Sequence, residues 1–457
     1  MGRLSQEISD IVHRGLDSHI KIAVTGLSRA GKTAFITSFV NQLLYSSTHN
    51  NLPFLHASRD SRLIGAKRIP QSNLLVPGFA YEQALSMLHS TPAGWPEPTR
   101  DVSEIRLAIK YKPESRTKKL ISKTHTLYVD IVDYPGEWLL DLPLLKLSYD
   151  EWSEKQMNSM HGIRKKLAYE WLERVNLFEV GNEANEKEIS EISYLYTQFL
   201  IRCKKEGLHW VQPGRFVLPG ELKGAPVLQF FPLPDSKRKG DKHSAYEMLA
   251  SRYEEYRTQI VKRFYKHYFS TFDRQIVLVD CLSPLNAGYE SFMDMRSALE
   301  ELIHSYHYGK NNLFGRLFSP KIDKVLFAAT KADHITPDQH GNLLNLLNQM
   351  INPVWQSVAY ENISMKCLST ASIRATTSGH VTMNGKSHSA IRGLDNAGND
   401  LTIYPGEVPK KLPDVNFWSH SKFDFTAFNP NVYEHDAPLP HIRVDTAMEF
   451  LLGDKLR

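Results

Sequence analysis

The hydrophobic pattern changes period several times along the chain, and the changes divide it. A β-branched run, Ile20–Thr25, reads as a buried strand and passes directly into Gly26–Thr33, after which Phe35, Ile36, Phe39, Val40, Leu43 and Leu44 recur at helical spacing. Ser46–Arg68 is polar with scattered apolar positions and predicts loop and short helix, whereas Tyr81–His89 reads as a helix. Three prolines and Gly94 break Thr91–Asp101 into an ordered or switchable loop. Ser103–Tyr111 and His125–Val132 then predict two strands, with a solvated basic turn (Arg116, Lys118, Lys119) between them.

From Leu139 to Thr271 the texture becomes long and amphipathic, with helical patterns at Ser159–Val175, Glu186–Lys205 and Ser244–Phe269 around a Pro/Gly-rich stretch, Gln212–Pro234. A structureless loop of that length is out of place in a compact domain, so an inserted helical domain is expected. Strand and helix alternate again afterwards, at Gln275–Cys281, Phe292–Ser305, Lys324–Ala329, His340–Val358 and Ile363–Leu368, which implies a mostly parallel sheet. Thr377–Trp418 predicts a small β-rich appendage, and Asp445–Lys455 a final amphipathic helix packed back on the core. The expected fold class is α/β, with a core in two parts (1–138 and 273–376), a helical insertion (139–272) and an appendage with its closing helix (377–457).

Composition narrows the partners. A net charge of +5 over 457 residues is too small to make nucleic acid the main partner. The three cysteines, Cys203, Cys281 and Cys367, are far apart and form no pair of metal-ligand spacing, so they read as reduced thiols of a cytoplasmic protein. Met1–His19 has amphipathic helical spacing (Ile8, Ile11, Val12, Leu16) rather than the apolar run of a signal peptide. No run reaches the ~20 apolar residues of a membrane span, which leaves peripheral attachment to the inner membrane, through a partner, open.

The chemistry starts at Gly26-Leu27-Ser28-Arg29-Ala30-Gly31-Lys32-Thr33, a G-x-x-x-x-G-K-T sequence between a strand and a helix. There the backbone of Ser28, Arg29, Ala30, Gly31, Lys32, Thr33 and Ala34 can cradle phosphate oxygens, helped by the helix N-terminus. Lys32 would neutralise the β- and γ-phosphates and the Thr33 hydroxyl would ligate Mg2+. The second signal is Asp133-Tyr134-Pro135-Gly136 at a strand end: Asp133, preferred over Asp130, would serve the metal, and the Gly136 N–H would sense the γ-phosphate. The third is Thr330-Lys331-Ala332-Asp333, also at a strand end, where Asp333 can accept guanine N1–H and its exocyclic amino group while the Lys331 stem covers the base. After the last strand, the N–H groups of Ser369, Thr370 and Ala371 are candidates for the guanine carbonyl oxygen. Thr99, with Thr91 as the alternative, is placed to close on the metal, and Arg29 or Arg100 to act as an internal arginine finger.

The order GLSRAGKT, DYPGE, TKAD and STASIRAT resembles the P-loop GTPase superfamily. With WPEPTRDVSEIRLAI, VDIVDYPGEWLLDLPLL, VLVDCLSPLNAG and SIRATTSG, the chain is similar to the bacterial YcjX family nearly end to end. That resemblance implies a GTPase-type domain with a helical insertion, a cytosolic setting, a link to stress responses and a membrane-protein partner. The family's guanine motif is N-K-x-D, and Thr330 replaces the Asn that ties this loop to the phosphate loop. Glu137 stands where many GTPases have the Gln that orients water, and its carboxylate would suffer like-charge repulsion from a γ-phosphate. Slow turnover of GTP to GDP without a partner is therefore expected, with Glu137 turned away or acting in a stimulated state. Two rivals stay open, a P-loop ATPase or kinase and a nucleotide-gated scaffold with negligible hydrolysis; in the leading reading the insertion docks a protein partner.

Overall fold

Alternate residues of each central strand belong to opposite apolar layers, and that alternation organises the whole chain. The computed structural model describes residues 18–27, 29–98, 100–115, 120, 122–237, 242–305, 322–359, 363–383, 385–420 and 423–457. The amphipathic pattern expected before residue 18 lies outside them, as do Arg116, Lys118, Lys119, Ser28 and Thr99.

Strand β1 (Ser18–Gly26) runs into α1 (Lys32–Tyr45), followed by β2 (Leu63–Ile69), α2 (Tyr81–His89), β3 (Ser103–Tyr111) and β4 (His125–Asp133). After the insertion come β5 (Arg274–Val279), a helix Tyr289–His304, β6 (Lys324–Ala329), a helix His340–Ala359 and β7 (Ser364–Ser369). Among the described residues these strands form one sheet in the order β2-β3-β4-β1-β5-β6-β7. β4, β1, β5, β6 and β7 are parallel, and β3 and β2 add an antiparallel edge. Because the order runs outward on both sides of β1, the carboxyl end of β1 is the topological switch point, where open α/β sheets bind ligands.

One apolar layer holds Ile20, Ile22 and Val24 of β1 with Ile276, Leu278, Leu326 and Ala328, covered by α1 and a C-terminal helix (Val444–Leu452). The opposite layer holds Ala23, Val277, Val279, Val325 and Phe327, and it runs without a break into the aromatic interior of the insertion (Trp152, Trp171, Tyr196, Phe230, Tyr253, Tyr256). The insertion is therefore built onto one face of the sheet and shares its core. Its frame includes the helix Glu186–Lys205, as the sequence predicts, and a run from Ala245 to His267 with a π-helical segment at Tyr256–Val261.

Two expectations are corrected here. Leu63–Ile69 lies in an edge strand rather than loop, held by pairing with β3 although its own pattern is half polar. The single helix expected over Ser159–Val175 starts only at Gly162, behind a separate helix Tyr149–Asn158, and is divided between Gly162–Leu167 and Tyr169–Leu177. Gly162 marks the break from the preceding helix: it takes φ +51° and lies against Glu290, whose Oε2 accepts the Ile163 N–H at 2.6 Å.

Beyond β7, the strands β8 (Thr377–Met383), β9 (Lys386–Leu394) and β10 (Asp400–Ile403) form a small antiparallel sheet. The closing helix is fastened by charge as well as packing. Arg274 is fully buried, and its guanidinium donates to Asp454 at 2.6 Å (Nη1–Oδ1) and 2.5 Å (Nη2–Oδ2), while Asp323 and Lys324 complete the network. Asp454→Ala is expected to lower the unfolding free energy by about 2 kcal/mol, below the ~3–5 kcal/mol of a fully buried pair because Asp454 is part-exposed. Urea titration beside Asp454→Asn measures this.

Candidate functional site

The end of β1 is pressed against β5 so closely that only glycine fits at Gly26: a Cβ there would lie 2.7 Å from the Leu278 carbonyl oxygen. Past it, Arg29 (φ +62°) and Gly31 (φ +80°) both adopt left-handed backbone, the arrangement that turns successive N–H groups inward as an anion nest. Helix α1 then begins without a side-chain cap and without an acidic residue in its first turn, so none of its own side chains caps the N–H groups at its positive end.

These residues line a cavity of about 400 Å3 with Arg29, Ala30, Gly31, Lys32, Thr33 and Ala34 along one wall. Thr330, Lys331 and Asp333 line another part of it. Lys331, itself left-handed at φ +59°, sends its ammonium to Asp280 at 2.5 Å, which leaves its stem along the cavity. Burial pushes the Asp280 carboxyl up, but Lys331 and Ser283 outweigh it and hold it at about 2. Thr330 bonds the end of β5, its N–H donating to Val279 O at 2.9 Å, rather than the phosphate loop. Asp333 is buried, and its Oδ2 accepts the Ala375 N–H at 2.8 Å.

The segment after β7 is placed differently from expectation. The Ser369 hydroxyl accepts from Arg443 at 2.7 Å, the Thr370 hydroxyl donates to Ile442 O at 2.7 Å, and the Ala371 N–H donates to the same carbonyl at 3.1 Å. Ser369 and Thr370 therefore serve to dock the segment leading to the last helix. Of the three expected residues Ala371 lines the cavity, and Ser372 and Ile373 line it beside Ala371. Trp95, Asn396, Ala427 and Phe428 also line it, and sequence reasoning missed them. Trp95 belongs to the proline-rich loop and donates its indole N–H to Phe428 O at 2.8 Å, joining that loop to the appendage.

On the other side of Thr33 a second cavity, of about 300 Å3, is lined by Thr33, Glu97, Arg100, Asp101 and Asp133. The Thr33 hydroxyl donates to Glu97 O at 2.8 Å, so the proline-rich loop already touches the residue expected to bind metal. A hydroxyl that donates its proton still presents oxygen lone pairs to a cation, and Asp133 brings a buried carboxylate to the same cavity. This donor set fits Mg2+. Asp130 is engaged elsewhere, with His19 at 2.7 Å and Arg106 at 3.3 Å. Arg100 is exposed on the rim, Thr91 is exposed at the start of the loop, and Arg29 lines the first cavity.

Gly136 lies against the phosphate loop: a Cβ on it would come within 2.1 Å of Gly26 O. The next residues face the insertion. Glu137 is buried and pairs with Lys204 at 2.6 Å, and Trp138 donates to Leu218 O at 3.0 Å. Burial alone would raise the Glu137 carboxyl, but Lys204 and Lys32 together hold it below its ordinary value. Asp141 accepts the N–H of Gly214 at 2.8 Å and the Tyr256 hydroxyl at 2.5 Å.

Burial pushes Asp141 up to about 7 against these hydrogen bonds. A carboxyl raised on folding contributes stability that is fully present below its unfolded value near 4 and is lost as pH rises towards 7. Stability is thus expected to fall across that window, and Asp141→Asn to flatten the fall by about 2 kcal/mol between pH 5 and 7, as read from urea melts at each pH.

The sequence model of the YcjX-like family, DUF463, matches residues 20–456. The chain belongs to this family. It is similar to a protein of Escherichia coli K12 named Ras-like GTPase YcjX, at 51% identity over the whole of both chains. It is also 42% identical to a Shewanella oneidensis MR-1 protein of the same name, over 99% of this chain and 98% of the relative. The YcjX-like family match thus takes in the sheet, the insertion and the appendage together. No helix among the described residues is long and apolar enough to cross a membrane.

Proposed function

We propose that this protein binds guanine nucleotide with Mg2+ and hydrolyses GTP to GDP and phosphate, using the change to signal through its insertion. The observation that carries the reading is the convergence of Lys32, Thr33, Lys331 and Asp333 on one cavity. Phosphates would lie in the nest of Arg29–Thr33 at the head of α1, with the guanine edge towards Asp333 and its face on the Lys331 stem. Thr33 and Asp133 would hold the metal, which supplies charge neutralisation between the β- and γ-phosphates when bound. The names of the two relatives support GTP as the substrate. The family resemblance adds stress responses and a membrane-protein partner to this reading.

Loss of the γ-phosphate would release the Gly136 contact and the loop around Thr33 and Glu97, and both adjoin surfaces that a partner could read. The capture of Glu137 by Lys204 favours, as a second reading, a nucleotide-gated scaffold with very slow turnover. Calorimetric titration with GDP, GTP and ATP in the presence of Mg2+ tests the assignment. Binding of both guanine nucleotides well ahead of ATP is expected, and equal or tighter ATP binding would remove Asp333 as a guanine reader in favour of an ATPase or kinase. Single-turnover assays then separate the switch from the scaffold.

A further inference from the structure

Glu137 sits between two lysines of different origin. Lys32 comes from the phosphate loop, whereas Lys204 comes from the last turn of the insertion helix Glu186–Lys205. Lys204 pairs with the Glu137 carboxylate at 2.6 Å, and Lys32 is the other cation that bears on it. Glu137 directly follows Gly136, which is packed on Gly26 at the start of the phosphate loop. Lys204 is thus held on the residue next to the glycine that packs on the phosphate loop, brought by an element whose sequence carries no nucleotide motif.

The segment after Lys204 is held firmly in this place. Asp294 accepts the N–H groups of His209 at 2.5 Å and Trp210 at 2.8 Å and pairs with buried Arg164 at 2.6 Å, and Gly207 O accepts the Ser291 hydroxyl at 2.8 Å. His209 faces the same region: its ring is buried with an unpartnered Nδ1, and Asp280, Glu137 and Arg29 are among the charges that bear on it. A buried polar atom without a partner marks a place where a ligand or water is expected.

We propose that Lys204 is a lysine finger supplied in cis: on GTP binding its ammonium moves from Glu137 alone to a bridge between Glu137 and a γ-phosphate oxygen, and it stabilises the transition state. The proposal rests on the GTPase reading above. A γ-phosphate entering beside an ionised Glu137 meets like charge, and an ammonium with three donors relieves that repulsion by binding both partners. In the reaction a water oxygen bonds to Pγ while the bond from Pγ to the β–γ bridging oxygen breaks, its electron pair leaving on GDP. The water's proton leaves on inorganic phosphate. Charge accumulates on the equatorial and leaving oxygens, where a fixed cation acts most strongly. Glu137, kept ionised by its lysines, accepts a hydrogen bond from the attacking water.

The test uses the full-length protein and the variants Lys204→Ala, Lys204→Arg and the double variant Lys204→Ala/Glu137→Ala, each checked for folding by thermal melting. Single-turnover GTP hydrolysis is expected to fall about 100-fold in Lys204→Ala, in the range found for loss of one transition-state donor. Arginine should restore part of the rate, GDP affinity should stay within about 3-fold, and binding of GDP with aluminium fluoride should be lost in proportion to the rate. Lys204→Ala hydrolysing at the wild-type rate, or a double variant that recovers it, would overturn the proposal, the second by reducing Lys204 to a counter-ion for Glu137. Should the wild type bind GTP without hydrolysing it, the GTPase reading fails, and the ratio of GTPγS to GDP affinity decides for Lys204. A ratio lowered about 10-fold by Lys204→Ala retains Lys204 as the γ-phosphate ligand, and an unchanged ratio removes it.

Discussion

Gly136→Ala is expected to reduce GTP hydrolysis at least about 100-fold and to lower the unfolding free energy by about 1–3 kcal/mol, the range for an overpacked core site. The reason is local and steric. The added Cβ would lie 2.1 Å from Gly26 O and 2.9 Å from Gly26 C, and both are backbone atoms that cannot rotate aside. Relief requires the D-x-x-G turn and the phosphate loop to separate, which in the proposed function would take the Gly136 N–H away from the γ-phosphate and Glu137 away from Lys32. Single-turnover assays beside urea melts separate the two effects. A variant with normal turnover would show that the two loops need not touch in the working state.

Asp333→Ala is expected to weaken GTP and GDP by more than about 100-fold and to abolish preference over ATP. Each hydrogen bond from a guanine donor to a buried carboxylate is worth about 1.5–3 kcal/mol, and truncation also strands the Ala375 N–H that Asp333 now accepts. Asp333→Asn separates the contributions, because its carbonyl can still accept from Ala375 while its amide faces the base with a donor. Calorimetry with the three nucleotides reads both variants. Retained guanine preference in Asp333→Ala would move base recognition to another wall of the cavity.

The parts of the fold that were legible in the sequence are those whose information is local. β3, β6 and α2 follow their hydrophobic period to the residue, as does the helix Glu186–Lys205, because each buries its own apolar face. β2 was not legible: Gly65, Lys67 and Arg68 dilute its pattern, and its strand geometry comes from pairing with β3. The same division runs through the site. The phosphate loop, Asp133 and T-K-A-D are contiguous signals, whereas Trp95, Asn396 and Phe428 reach the cavity from segments with no periodicity to announce them. Lys204 lies beside Lys205 near a helix end, where a basic pair reads as an ordinary solvated terminus, and only the packing of the insertion on Glu137 distinguishes it. Ser369 and Thr370 were assigned from position after the last strand, but the partner that claims them, Ile442–Arg443, lies some seventy residues later.

The cavity wall formed by Asn396, Ala427 and Phe428 bears on how the protein is made. A ribosome releases the phosphate loop and the T-K-A-D loop long before these residues, and the helix Val444–Leu452 that covers the α1 face of the sheet emerges later still. A nascent or truncated chain therefore carries every nucleotide motif without an enclosed pocket. Ligand binding stabilises only the state that binds, by RT ln(1 + [L]/Kd), so cellular nucleotide would select finished chains over unfinished ones.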